Sequence, residues 1–248
     1  MSMDSIDYQI VGDDMQYVEI QLPPGKSAIG EVGSMMYLED GIAMDAVLGD
    51  GAGSGGFVDK LVRAGRRMVA GSSAFMTVYT NTSNDRRKLA FAASFPGKIM
   101  AIDLAHIGGA FISQRESFLC AARGVAVGIA FQRRLGAGFF GGEGFVMQKL
   151  EGDGLAFIHA GGALMERELA NGELLRVDAG CLVAMQATVD YNIQYVGKIK
   201  TALFGGEGLF FATLRGPGKV ILQSLPFSRL ANRIYAAAPP RRTRRDEG

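Results

Sequence analysis

Tryptophan is absent from this 248-residue chain, and histidine and cysteine occur only twice each. His106 and His159 stand far apart, with no His-x-His or Cys-x-x-Cys spacing, so no nitrogen or sulfur metal site is expected. Asp13-Asp14, Glu39-Asp40 and Asp45 form no calcium-loop pattern either. Cys120 and Cys181 fall inside apolar, strand-like runs and read as buried free thiols, not as a disulfide framework. An excess of one charge is missing too. Lys and Arg number 26 against 25 Asp and Glu, which argues against a nucleic-acid binder driven by bulk charge. No apolar run approaches the ~18–20 residues that span a bilayer. The start, Met1-Ser2-Met3-Asp4-Ser5-Ile6-Asp7, lacks the charged-then-apolar order of an export signal, so a cytoplasmic protein is expected. There is no Gly-x-Ser-x-Gly elbow, and neither histidine stands in a triad context.

What the chain does have is glycine, 35 of them, and an internal echo. Moved forward by 64 positions, Phe140-Gly141-Gly142-Glu143-Gly144-Phe145 lands on Phe204-Gly205-Gly206-Glu207-Gly208-Leu209. The same shift carries Val125 to Val189, Ile129 to Ile193, Leu150 to Leu214 and Gly152 to Gly216. A third, longer copy comes first: Gly25, Gly108 and Gly172 align, with a first-to-second shift of 83. Its extra length lies in two insertions, between Gly33 and Gly71 and between Gly71 and Gly97. Such a period implies a repeated supersecondary unit. The expected units run over about 18–100, 101–164 and 165–228, in one domain over 1–236, with a disordered basic tail over 237–248.

Within each copy apolar residues alternate with period 2, as a half-buried strand requires. Val125, Val127, Ile129 and Phe131 share a face, and so do Val189, Tyr191, Ile193 and Tyr195. The Gly152–Gly154 and Gly216–Gly218 turns read as reversals that fold one apolar segment back on the next, in the manner of a hairpin. The fold class expected is all-β, with one or two short helices. One helix is expected over 57–69, where Phe57, Leu61, Ala64 and Met68 recur at helical spacing among Lys60, Arg63, Arg66 and Arg67. The other spans Phe227–Ala236, with Phe227, Leu230 and Ile234 on one face.

Candidate sites are few. The Gly-Gly-Glu-Gly turns, Gly141, Gly142, Glu143 and Gly144, and Gly205, Gly206, Glu207 and Gly208, resemble ligand loops because glycine admits close approach. A phosphate cradle wants a following helix and a Lys or Ser/Thr, whereas these loops lie between strands and carry a glutamate. They are read as structural turns in which the carboxylates accept backbone N–H hydrogen bonds. Ser73 stands where the later copies have Glu143 and Glu207. His159 aligns with Gln223, so a side chain hydrogen-bonding at a strand end is expected there. Lys60, Arg63, Arg66 and Arg67 suit an anionic membrane surface or an acidic partner, beside the plainer reading of a solvated helix face.

Longer strings add a resemblance. Asp14-Met15-Gln16-Tyr17-Val18-Glu19-Ile20, Pro23-Pro24-Gly25 and Gly33-Ser34-Met35-Met36-Tyr37 open it; Leu135 to Phe145, His159-Ala160-Gly161-Gly162 and Leu225-Pro226-Phe227-Ser228-Arg229-Leu230 complete it. From about Ile10 to Ile234 the chain resembles bacterial members of the mitochondrial-biogenesis (altered inheritance of mitochondria) family. The resemblance implies a fold like that of the tryptophan RNA-binding attenuator protein, with double-stranded β-helix-like units fused in one chain. It also implies a tendency toward homo-oligomers, and it carries no catalytic or cofactor-binding residue with it. The expected function is therefore a non-enzymatic, oligomeric scaffold or binding module without metal or cofactor. Two alternatives stand beside it: an RNA-binding ring by fold analogy, with Tyr195, Lys198 and Lys200 as the nearest basic stripe, or a peripheral membrane protein contacting lipid through 57–69.

Overall fold

The computed structural model describes residues 6–31, 33–48, 75–133, 145–195 and 210–238. Strands dominate it. The first group is β1 (Asp7–Val11), β2 (Tyr17–Leu22), β3 (Ser27–Glu31), β4 (Met35–Leu38), β5 (Ile42–Leu48), β6 (Phe75–Asn81) and β7 (Arg87–Ala92). The second is β8 (Gly97–Asp103), β9 (Ala110–Gln114), β10 (Phe118–Ala122), β11 (Ala126–Arg133), β12 (Phe145–Glu151) and β13 (Leu155–Gly161). The third is β14 (Leu164–Leu169), β15 (Leu174–Asp178), β16 (Leu182–Gln186), β17 (Asp190–Tyr195), β18 (Phe210–Arg215) and β19 (Gly218–Gln223), followed by helix α1 (Phe227–Ala237).

Local pattern explains the strands. In β2, Val18, Ile20 and Leu22 are fully buried while Tyr17, Glu19 and Gln21 stay half-buried, the period of a strand with one wet face. In β10 the unbroken run Phe118-Leu119-Cys120-Ala121-Ala122 is buried throughout, because it lies mid-sheet with packing on both faces. The alternation expected from Val125 to Phe131 stops short. Val125 and Val127 are buried, but Ile129 is 41 % exposed, and the β11–β12 register shifts between Ile129 and Phe131. A bulge there re-aims the side chains, which a strict period of 2 cannot anticipate.

The strands form four antiparallel sheets, ordered β1-β2-β7-β4, β5-β6-β3-β10-β13-β8, β11-β12-β9-β16-β19-β14 and β15-β18-β17. The glycine turns are not hairpins. β12 pairs with β11 and β9, whereas β13 pairs with β10 and β8, so Gly152–Gly154 carries the chain from one sheet to another. Gly216–Gly218 does the same between β18 and β19. Gly152 and Gly218 do use the positive φ that glycine tolerates, 146° and 139°. The sequence pattern identified the bends; partner choice depends on packing across the molecule.

Ladders recur at matching positions. Ala110 faces Glu151 and Ala126 faces Glu151; 64 residues on, Leu174 faces Arg215 and Asp190 faces Arg215. The same register break falls between Met35 and Tyr37, between Phe118 and Cys120, and between Leu182 and Ala184. Successive crossing points are also bonded in series: Gly97 N donates to Asp14 O (2.7 Å), Gly162 N to Pro96 O (3.0 Å) and Leu225 N to Gly161 O (3.1 Å).

The core gathers residues distant in sequence. Ile29 and Val78 pack in one cluster with Phe111, Phe118, Leu150, Ile158, Val183 and Ile221. Two flanking clusters centre on Leu89, Phe91 and Phe157 and on Phe145, Leu182 and Leu214. Each such fully buried side chain contributes roughly 1.5–3 kcal/mol relative to exposure. β1, which precedes the first expected unit, was not anticipated; its polar run Asp7-Tyr8-Gln9 suits an edge, and among the described residues it pairs only with β2. α1 forms where expected, beginning just after Pro226, and its apolar residues Phe227 and Ile234 stay 46 % and 64 % exposed.

Candidate functional site: two unpaired strand edges

Two junctions hold the strand groups together. At the first, β10 lies beside β3 with Cys120 opposite Gly30, Ala121 opposite Ile29 and Ala122 opposite Ala28. Gly30 is required there, since a Cβ would come within 2.4 Å of the Phe91 ring. At the second, β16 lies beside β9 with Ala184 opposite Ser113, Met185 opposite Ile112 and Gln186 opposite Phe111. The sequence shifts of 64 and 83 convert one register into the other.

Applied once more, those shifts lead from Cys120 back to Tyr37 in β4, and from Ser113 on to Val177 in β15. Among the described residues, β4 and β15 each end their sheet. Exposure marks the difference. Met36 of β4 is 56 % exposed, whereas its counterparts Leu119 and Val183 are at 4 % and 0 %. Leu174 of β15 is 54 % exposed, while its counterpart Ser27 in β3 is at 6 % and its counterpart Ala110 in β9 is half-buried. The inner sides of both edges are well anchored. The Tyr37 hydroxyl donates to Glu19, which also accepts from Lys88 Nζ at 2.7 Å. Burial, reinforced by that hydrogen bond to Glu19, pushes the Tyr37 phenol up to about 12. At the end of β15, Asp178 Oδ1 accepts from Gly180 N (2.9 Å) and Asp178 Oδ2 from Arg229 Nη2 (3.2 Å).

The titratable groups near the junctions are perturbed mainly by burial. Burial pushes the half-buried Glu31 carboxyl, at the end of β3, up to about 7 against the pull of Arg115, with the Glu116 carboxylate adding to the rise. Burial raises Glu116 as well, with Arg115 opposing. The Cys120 thiol is driven well above its usual value by complete burial. Cys181 is only half-buried, unlike the expectation for both thiols; burial and the nearby Asp178 carboxylate raise it, and Arg229 opposes. Both thiols are free, and these surroundings disfavour the nucleophilic thiolate.

His159 and Gln223 occupy corresponding strand ends but differ in bonding. Gln223 Oε1 accepts from Gly161 N and Gln223 Nε2 donates to Gly180 O, each at 2.8 Å. His159 is 3 % exposed, its ring edge-on to Phe95 at 4.4 Å, and its Nε2 has no hydrogen-bond partner. Burial therefore pulls it down to about 4, only partly offset by a hydrogen bond with the Phe95 backbone. The imidazole is neutral at pH 7. Among the described residues, no three His, Cys, Asp or Glu side chains are grouped so as to hold a metal ion, and no helix is long and apolar enough to cross a membrane.

The turn residues Gly141, Gly142, Glu143 and Gly144, their counterparts Gly205, Gly206, Glu207 and Gly208, and the cationic set Lys60, Arg63, Arg66 and Arg67 lie outside the described residues. So do Lys198, Lys200 and the basic tail from 239 onward. The two open edges were missed by the sequence reading. A signal existed: among the strands that end a sheet, β4 alone, Met35-Met36-Tyr37-Leu38, carries no charged residue.

Comparison with known proteins agrees with the architecture. An uncharacterised protein of Streptococcus pyogenes is 32% identical over 225 residues, spanning 90% of this chain and 86% of that protein. The X-ray crystal structure of protein SPYM3_0169 from Streptococcus pyogenes superimposes with a TM-score of 0.72 at 27% identity, covering 94% of this chain and 100% of that one. The family model described as Mitochondrial biogenesis AIM24 matches residues 8–225, and the chain belongs to that family.

Proposed function

We infer that this chain is a non-enzymatic, cytoplasmic scaffold or binding module that works as a homo-oligomer. One observation carries the reading: two sheet-ending strands, β4 and β15, expose the apolar side chains Met36 and Leu174 at positions that are buried or half-buried in the other strand groups. Unpaired, apolar edges are a liability that proteins normally cover. Repeats that bury their faces by stacking on neighbours leave such surfaces at both ends of a series. The unit of construction in this reading is a β-building block present three times, in a pseudo-threefold arrangement like that of the tryptophan RNA-binding attenuator protein. The recurring ladders and register breaks support it. Joins drawn before Gly97 and before Leu164 keep every strand whole, whereas a join between 100 and 101 would cut β8. Size-exclusion chromatography with light scattering on the full chain tests the assembly. A mass that is a multiple of 26.4 kDa across a concentration series is expected, and a strict monomer at every concentration would refute the scaffold reading.

A further inference from the structure

We propose that the β4 edge of one copy pairs antiparallel with the β15 edge of a second copy, forming between chains the junction that β10·β3 and β16·β9 form within one. The inference rests on the homo-oligomer reading and names its surface. Register follows from the two internal junctions: Tyr37 opposite Val177, Leu38 opposite Arg176 and Glu39 opposite Leu175. The combined strand order, β17-β18-β15-β4-β7-β2-β1, then repeats in its first six positions the order of both six-stranded sheets, with β1 as an added seventh strand.

Three observations favour this occupant over solvent. First, a short bulged strand is a common way to blunt an edge. Yet β10 and β16 carry the same register break and are paired on both sides, so the bulge in β4 does not prevent pairing. Second, edge guards are sparse. β4 contains no proline and no charged residue, whereas the outer strand β14 carries Glu166, Arg167 and Glu168; β15 carries Arg176 and Asp178, the latter held by Arg229. Third, apolar side chains lie open beside the proposed seam: Met36 is 56 % exposed where its counterparts Leu119 and Val183 are buried, and Leu174 is 54 % exposed where Ser27 is buried and Ala110 half-buried, although Arg176 between them is exposed where Ile29 and Ile112 are buried. A copy has one edge of each kind, so a closed assembly built from this contact leaves neither exposed.

The test uses the full chain with Cys181→Ser in every variant. Leu38→Cys and Arg176→Cys are made separately, with different tags, and treated with a short bismaleimide alone, mixed, and combined in one chain. A cross-linked species of two chains is expected from the mixture and from the assembled double variant, and from neither single variant alone. Cross-linking within a single chain of the double variant, at concentrations where no two-chain product forms, would mean that the seam closes on itself and would overturn the proposal. No cross-link at all, with the oligomer mass retained, would place the contact elsewhere and overturn the proposal while sparing the scaffold reading. A monomer mass would remove both. As a second arm, Met36→Lys and Leu174→Lys alter exposed side chains only; each is expected to raise the dissociation constant at least about tenfold without lowering the monomer's Tm. Unchanged assembly in both would also refute the seam. If only a partner from another protein protects these edges, the purified chain stays monomeric, and that outcome counts against the proposal.

Discussion

Acidification gives a quantitative test of the interior around His159. The imidazole is buried at 3 % exposure with an unpartnered Nε2, and its pKa is lowered to about 4 from the ordinary 6.5. The unfolded chain therefore binds a proton below about pH 6.5 that the folded protein refuses until about pH 4. Between those values the unfolded state holds more protons, so stability falls as pH falls. A difference of ~2.5 units corresponds to about 3 kcal/mol in full, and about 2 kcal/mol of it is lost by pH 5. Other groups titrate in the same range, so the useful quantity is a difference between proteins. His159→Gln, the residue type found at the corresponding strand end, removes the titration without adding a charge. Urea unfolding of both proteins is measured from pH 8 to pH 4.5. The wild type should lose about 2 kcal/mol relative to the variant between pH 7 and pH 5, or roughly 4–8 °C of Tm for a chain of this size. Parallel stability curves across that interval would refute the reasoning, because a buried neutral imidazole must produce a slope.

Glu31 has the opposite sign: its carboxyl titrates near 7 in the folded protein and near 4.5 unfolded, so the wild type gains stability as pH falls from 7 to 4.5. Glu31→Gln should thus be the more stable protein at pH 8, with the advantage shrinking toward pH 5; thermal unfolding at both pH values checks this. Gly161→Ala should cost about 1–3 kcal/mol or more, since its Cβ would sit 2.0 Å from the Leu225 carbonyl oxygen and 2.7 Å from Phe95. Chemical unfolding of that variant would refute the close approach if it matched the wild type within about 0.5 kcal/mol.

Strand content and the terminal helix were legible because they depend on short-range periodicity. Val189, Tyr191 and Ile193 announce a strand by alternation, and Phe227 to Ile234 a helix by spacing of three and four. Ile129 shows where that reasoning ends. Its alternation continues in the sequence, but a bulge beside it leaves the side chain exposed. The glycines at 152 and 216 marked true bends, yet the strands they separate join different sheets. The candidate site was less legible still. Met36 looks in sequence like its buried counterparts Leu119 and Val183, and among the described residues only the absence of a neighbouring strand distinguishes it.

By itself, then, the sequence determined the all-β class, the internal echo at 64 and 83 residues, the family and the terminal helix, since each is written in local pattern or direct likeness. The tertiary structure alone decided which strands lie side by side, that the glycine turns pass between sheets, and that β4 and β15 keep an edge unpaired among the described residues. Backbone hydrogen bonds between strands have no residue code of their own. Their partners are selected by how distant apolar faces pack, and that selection exists only once the chain has folded.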